Sequence, residues 1–247
     1  MRNRIISAVF TLAVILMLIP AFAVPVSAAE YSVDLSNGSI SITNGTDSGY
    51  KLTQGETVLQ DDLLLDTVIH ITQSKNIMFT SNNITVDAPI SAGDGVNVII
   101  DDIYISTSAC PFGINNGSKV NLTLEGTNGI ISYNDCAGIH VPYMAEIIID
   151  GVGSLEIDSD YGSCIGGTLI DGNDGSVGAI TIKGGAFDLY SPYGTAIGAV
   201  KNGKSKPINI QGGNITTRSS LGIGGNNANV TITGGNINTS GICRTAL

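Results

Sequence analysis

Four tyrosines are the residues whose type and spacing best suit ligand chemistry in this chain. Tyr133, Tyr161 and Tyr193 each follow a short apolar segment at a similar point of a repeated pattern, and Tyr190 lies close to the last of them. Aromatic rings stack on the faces of sugars, while nearby amides and carboxylates hydrogen-bond to hydroxyl groups. The spacing predicts a glycan-binding edge if the repeats stack in register. The alternative is that these rings pack their loops onto the protein.

Acid and base chemistry has weaker candidates. Asp101 and Asp102 are the only adjacent acid pair after Val68, and Arg218 and Arg244 are the only arginines after residue 28. A polysaccharide lyase needs carboxylates that hold calcium beside a base that abstracts a proton, and a hydrolase needs clustered carboxylates. No such constellation stands out, so we expect no catalytic residues and no enzyme activity, with a lyase as the alternative.

One loop suits calcium. Asp171, Asn173 and Asp174 supply oxygens on a glycine-rich segment, the ligand type that calcium prefers. The spacing does not match an EF-hand, and the same residues are common in ordinary turns. Calcium is therefore an alternative to the expectation of no cofactor. His70 and His140 lie far apart without a cysteine frame, so no zinc site is expected.

The four cysteines form no CxxC pair. Cys110 and Cys136 each precede a repeated isoleucine by three or four residues. Neighbouring coils of a solenoid lie about 4.8 Å apart, so the two could form a disulfide if their side chains converge. The interpretation we favour is that they fill small inward positions.

A repeat must position all of these residues. Five times between Val120 and Asn238 the chain repeats an apolar pair in strand spacing, a glycine turn and another apolar residue. The pairs are Leu122/Leu124, Ile147/Ile149, Ile180/Ile182, Ile208/Ile210 and Val230/Ile232. Isoleucines spaced 25, 26, 32, 26 and 19 residues apart punctuate the units, namely Ile114, Ile139, Ile165, Ile197, Ile223 and Ile242.

These spacings are typical of solenoid coils. Apolar residues at i and i+2 bury one side of a short strand, and stacked units create a continuous core. We therefore predict an all-β fold, a right-handed parallel β-helix. The predicted first column of the core contains Leu122, Ile147, Ile180, Ile208 and Val230.

The repeat resembles a known group of proteins. The "AGIGG … ITIxGG" repeats of secreted bacterial β-helix proteins are similar to strings found between residues 110 and 242, which include Cys164-Ile165-Gly166-Gly167, Ile180-Thr181-Ile182-Lys183-Gly184-Gly185 and Gly222-Ile223-Gly224-Gly225. A more distant resemblance is to the carbohydrate-binding β-helix domains of cellulolytic clostridia, which share the pectate-lyase fold. Both resemblances imply a parallel β-helix and a surface or carbohydrate-binding role, but a fold alone does not fix a ligand.

The N-terminal residues have the pattern of an export signal. Arg2 and Arg4, an apolar run and Val26-Ser27-Ala28 predict a signal peptide over residues 1–28, with a membrane anchor as the alternative. Residues 29–67 are predicted to form N-terminal strands and a cap, with a helical or irregular stretch near Glu56 to Thr67. Residues 68–247 are predicted to form the β-helix, which we expect to continue beyond Leu247 because no capping helix follows the repeats.

Charge limits the partners. The chain carries 11 basic and 21 acidic residues, a net charge of −10, and has no basic cluster. Nucleic acid is therefore not expected as a partner, and neither is a membrane after cleavage. We expect a secreted or cell-surface, non-enzymatic module that binds a polysaccharide or cell-wall glycan or acts as an adhesin. A polysaccharide lyase and a purely structural scaffold remain the alternatives.

Overall fold

The computed structural model of the chain describes residues 30–34, 37, 40–44, 50–63, 68–72, 89–107, 109–170, 174–225 and 228–241. The predicted signal peptide lies outside these residues. The described residues form no α-helix and 23 strands, which belong to three sheets.

Sheet A has eight strands, and every pairing in it is parallel. In sheet order they are β1 (Glu30–Asp34), β5 (Val68–Thr72), β7 (Asn97–Asp101), β10 (Lys119–Glu125), β13 (Glu146–Gly151), β16 (Ala179–Ile182), β19 (Ile208–Ile210) and β22 (Val230–Ile232).

Sheet C has six strands, which are also all parallel. In sheet order they are β8 (Tyr104–Thr107), β11 (Thr127–Ser132), β14 (Ser154–Ser159), β17 (Ala186–Ser191), β20 (Asn214–Ser219) and β23 (Asn236–Gly241).

Sheet B has nine strands, of which only the first three along the chain pair in antiparallel fashion. They are β2 (Ile40–Asn44), β3 (Tyr50–Gln54), β4 (Thr57–Leu63), β6 (Ile90–Ala92), β9 (Phe112–Ile114), β12 (Ile139–His140), β15 (Ile165–Gly166), β18 (Ile197–Gly198) and β21 (Ile223–Gly224).

The order of strands confirms the predicted parallel β-helix. From β7 onward, the strands along the chain belong in turn to sheet A, sheet C and sheet B, as β10, β11 and β12 do, and neighbouring coils pair in parallel. The buried side chains of the three sheets form one core between them, which is mainly aliphatic. Each coil therefore forms its backbone hydrogen bonds with neighbouring coils and buries its apolar side chains in the shared interior.

The predicted core column is wrong at its first member. Val120, and not Leu122, pairs with Ile147, and Leu122 pairs with Ile149. The same displacement of two residues occurs in the other sheets, where Asn128 instead of Ile130 lies against Leu155 and Phe112 instead of Ile114 lies against Ile139. Strand periodicity is two, so a shift by two keeps every apolar residue inside, and alternation alone cannot detect it.

The stretch near Glu56 to Thr67 is a strand where the structure describes it. Residues 57–63 form β4, which pairs with β3 in antiparallel fashion, so the helical alternative is wrong for this segment. The β2 to β4 hairpins lie at the edge of sheet B, beyond the first parallel pairing of β2 with β6. They cover backbone groups that a bare solenoid edge would expose.

Cys110 and Cys136 form a disulfide, with Cα atoms 5.3 Å apart. The interpretation that both only fill small inward positions is therefore wrong. Phe112 and Ile139 pair in register, which brings the two cysteines that precede them into neighbouring coils. Cys164 is fully buried and free, and burial raises the pKa of its thiol well above the usual value. Cys243 lies outside the described residues.

Candidate functional site

The outer face of sheet C carries most of the candidate chemistry. In β14 the buried side chains of Leu155 and Ile157 alternate with the exposed side chains of Glu156 and Asp158. Strands β17 and β20 repeat the alternation, which points Asp188 and Arg218 outward. A single polar face therefore crosses at least three consecutive coils.

Register brings the charged residues of this face together. Glu156 pairs with Asp188, and Asp158 pairs with Tyr190, which in turn pairs with Arg218. The Arg218 guanidinium contacts both carboxylate oxygens of Asp188, at 3.2 and 3.3 Å from Nη2. It also lies 5.5 Å from the centre of the Tyr190 ring, a cation–π distance. Arg218 therefore covers one face of the Tyr190 ring.

The two remaining carboxylates have perturbed proton affinity. Partial burial raises the pKa of Glu156, and the charge of Asp188 adds to the effect. Partial burial raises the pKa of Asp158 as well, with a further contribution from Asp160. Arg218 opposes both shifts without cancelling them. Like-charge crowding on a partly desolvated face produces this behaviour, and a bound cation would relieve it.

A shallow groove lies at the beginning of the same strands. Its volume is about 220 Å³, and small outward residues, Ser154 and Ala186, leave the space between its walls. Glu156 and Asp188 form part of one wall, and Asn214 lines it from the next coil. Hydroxyl, amide and carboxylate groups around a partly apolar floor are the partners that sugars use in binding sites.

Tyr161 and Tyr193 lie just past the ends of β14 and β17 and stack on each other. Their ring centroids are 4.7 Å apart, and the ring planes differ by 14°. Each side chain remains about half exposed, at 47% and 46%. Because each ring covers one face of the other, a ligand can reach only the two outer faces and the phenol edges.

Tyr133 is equally exposed but does not join this stack. The backbone nitrogen of Tyr161 donates to the carbonyl of Asn134, so Tyr161 lies over the residues after Tyr133. The phenol oxygen of Tyr133 instead accepts a hydrogen bond from Ser106, at 3.2 Å. The structure therefore stacks two of the four predicted tyrosines on each other, Tyr161 and Tyr193. Phe112 is fully buried in β9, where it pairs with Ile139.

The predicted lyase candidates are far apart. Asp102 lies in a turn with positive φ, where its carboxylate accepts the backbone N–H of Thr127 at 2.7 Å. The sheet C strand that follows it is β8, four coils from the strand that carries Arg218. At the usual strand spacing this separation is about 19 Å. Asp101 and Asp102 therefore cannot contact the same sugar bond as Arg218.

The predicted calcium loop is described only in part. Asp171 and Asn173 lie outside the described residues. The hydroxyl of Ser176 and then its backbone N–H, 2.9 Å from the Asp174 carboxylate in an Asx-type turn, lower the pKa of Asp174. Among the described residues no group of three or more acids, histidines or cysteines could hold a metal ion. Calcium at this loop stays a prediction.

His140 is the one histidine whose side chain is described. It directly follows the buried Ile139 of β12, in sheet B, and burial lowers its pKa. It is thus not part of the sheet C face. His70 lies in β5, where it pairs with Ser32 of β1 and Ile99 of β7.

Glu156 and Asp188 were not among the sequence-predicted site residues, although the sequence contained a signal for them. Leu155 and Phe187 occupy equivalent places in the repeat, so the residues that follow them must lie side by side on the outer face. The groove was harder to foresee, because it depends on the small size of Ser154 and Ala186 and not on a motif.

Comparison with family models, curated proteins and solved structures finds no match to this chain. The resemblance of its repeats to secreted bacterial β-helix proteins therefore stays a prediction. Within the part of the chain that the structure describes, no helix has the length and apolar character to cross a bilayer.

Proposed function

We propose that this protein is a secreted or cell-surface, non-enzymatic β-helix module that binds carbohydrate along the outer face of sheet C. The observation that carries the proposal is the half-exposed Tyr161 and Tyr193 pair at one end of β14 and β17, on the same face as a groove lined with amide, hydroxyl and carboxylate groups at the other end. Stacked rings held by a rigid sheet lose little conformational freedom on binding, which favours a weak but specific contact with sugar faces and edges.

Binding to insoluble cell-wall glycans and to a glycan array tests this proposal. We expect wild-type protein to bind and a Tyr161→Ala, Tyr193→Ala double variant to lose binding while keeping a β-type circular dichroism spectrum. Tyr133→Ala is the matched control, since that ring is equally exposed but lies outside the pair. Binding that survives in the folded double variant would contradict the proposed site.

A polysaccharide lyase is the second candidate, and one observation favours considering it. Glu156 and Asp158 have raised pKa values, as groups that transfer protons often do. Against it, Arg218 is held by Asp188 and lies about four coils, or about 19 Å, from Asp101 and Asp102. We expect no release of unsaturated or reducing sugar from pectate, xylan or cellulose, with or without calcium.

Turnover by the wild-type protein that is lost in the Arg218→Ala or Asp101→Asn variant would favour the lyase function over the binding function. A purely structural scaffold is the remaining alternative, and it predicts neither turnover nor binding to any arrayed glycan.

A further inference from the structure

We propose that the outer face of sheet C selects an amine-bearing glycan, a polymer of hexosamine with free amino groups, over neutral and acidic glycans. This inference rests on the proposed function and names the ligand class of the same face. It depends on the placement of carboxylates, rings and a groove on one rigid surface.

The charge of the face is the first step. The described strands of sheet C carry three acids, Glu156, Asp158 and Asp188, and one base, Arg218. The base is already paired with Asp188 at 3.2 Å, and neither of the other two acids forms an ion pair with a described residue. Two carboxylates on adjacent outward positions of one strand are thus left for a ligand.

The aromatic pair is the second step. Asp160 lies between the exposed carboxylates of β14 and Tyr161, and its carbonyl accepts the backbone N–H of Tyr193. A ligand that spans from Asp158 to the tyrosine edge meets negative charge and ring surface in succession. Ammonium groups are attracted to both, by direct charge interaction and by the ring quadrupole.

The groove favours a sugar over a cationic peptide. Ser154 and Asn214 offer uncharged hydrogen-bonding groups next to Glu156 and Asp188, as suits a chain of hydroxyl groups. A peptide would gain most from pairing with an open strand edge, but β14 and β17 are paired on both sides within the sheet. The face therefore offers side chains and no backbone edge.

Acidic glycans are disfavoured by the same charges. The chain as a whole has a net charge of −10, which repels polyanions and raises the local concentration of polycations. A polyuronate would also bring its carboxylates against Glu156 and Asp158, whose pKa values are already raised by partial burial and by like-charge neighbours.

Two oligosaccharides of equal length test the inference, one of glucosamine and one of N-acetylglucosamine, which differ only in the acetyl groups that remove the positive charge. Oligogalacturonate of the same length is the acidic comparison. In low salt at mildly acidic pH we expect the glucosamine oligomer to bind about tenfold tighter than its acetylated counterpart, the ratio that two exposed charge pairs would give. Added salt should reduce that ratio towards one.

A Glu156→Gln, Asp158→Asn variant should bind both oligomers with equal affinity. Glu125→Gln, Glu146→Gln is the matched control, because it removes the same number of charges from sheet A. If the control loses the preference as fully as the test variant, overall charge decides and the local site is overturned.

The outcomes separate the two proposals. Equal binding of both oligomers by wild-type protein would leave the carbohydrate module standing and overturn the amine selectivity, as would a preference for galacturonate. Binding of neither amine-bearing, neutral nor acidic glycan would overturn both. Poly-lysine that competes as well as the glucosamine oligomer at equal charge would show a general cation-binding surface and also overturn the inference.

Discussion

Tyr161 and Tyr193 stack on each other although 32 residues separate them and a long loop interrupts the coil between them. This loop is the connection between β15, in sheet B, and β16, in sheet A. It therefore lies outside sheet C, where Asp158 and Tyr190 remain in register. A solenoid can accept such an insertion at one corner without disturbing a binding edge at another.

Replacing Tyr161 and Tyr193 by alanine should have a small effect on stability. The rings are about half exposed, so the loss is mainly their mutual stacking, about 0.5 to 1.5 kcal/mol. Thermal unfolding followed by circular dichroism measures it. A double variant that fails to fold would show that the rings are part of the core and would remove them as a binding surface.

The aliphatic column gives a sharper contrast between neighbouring residues. Ile180 is fully buried between Ile147 and Ile208, whereas Thr181 faces outward between Ile148 and Asn209. Ile180→Asp should cost about 4 kcal/mol or more, because it buries an unpaired charge. Thr181→Asp should cost less than about 1 kcal/mol, since its carboxylate stays in water. Urea unfolding of both variants provides the measurement, and similar losses would contradict the assigned faces.

Alternation predicted which residues face inward, and it did so for Ile180 and Ile147 without error. It could not fix the register of the coil that begins at Phe112, since a shift by two residues buries the same side chains. What decides the register is the turn. Gly151 lies against Leu124, and a Cβ at Gly151 would overlap the Leu124 backbone. Because Gly151 pairs with Leu124, strand β10 extends two residues further than the repeat predicts.

The candidate site was predictable to a similar extent. The exposure of Tyr161 and Tyr193 followed from their positions directly after a strand. The position of Tyr133 outside their stack depends on the turn after β11, in which Asn134 has positive φ. Likewise, Cys110 and Cys136 meet because Phe112 aligns with Ile139, the same register that the repeat left ambiguous.

Gly198 tests how closely the coils approach in sheet B. Its φ is 133°, and a Cβ there would overlap the backbone of Gly224 in the next coil. Gly198→Ala should therefore destabilise the protein by about 3 kcal/mol, through backbone strain and overpacking. Gly113→Ala is the control in the same column of sheet B. A Cβ at Gly113 would have as its nearest atom the carbonyl oxygen of Ile90, at 3.9 Å. Chemical denaturation should show little change for the control, and equal losses would refute close packing at Gly198.

The disulfide between Cys110 and Cys136 should stabilise the coil that it closes. The two residues are 26 positions apart, and a loop of this length corresponds to about 3.5 kcal/mol in the chain-entropy treatment. A Cys110→Ser, Cys136→Ser variant should unfold at a lower temperature than oxidised wild-type protein. Reducing agent should lower the wild-type midpoint and leave the variant unchanged. A midpoint that does not respond to reduction would mean that the bond does not form.

Glu156 and Asp158 should make the protein less stable as pH rises. Their folded pKa values lie above the ordinary values of 4.5 and 3.8, so the folded state holds these protons more tightly than the unfolded chain. Stability from these groups is therefore fully present below the ordinary values and is lost as pH rises through the folded pKa values. The effect is small because both side chains are exposed. The Glu156→Gln, Asp158→Asn variant should show a higher thermal midpoint than wild type at neutral pH and no such gain in acid. A variant that is less stable than wild type at neutral pH would show that these carboxylates support the fold and do not strain it.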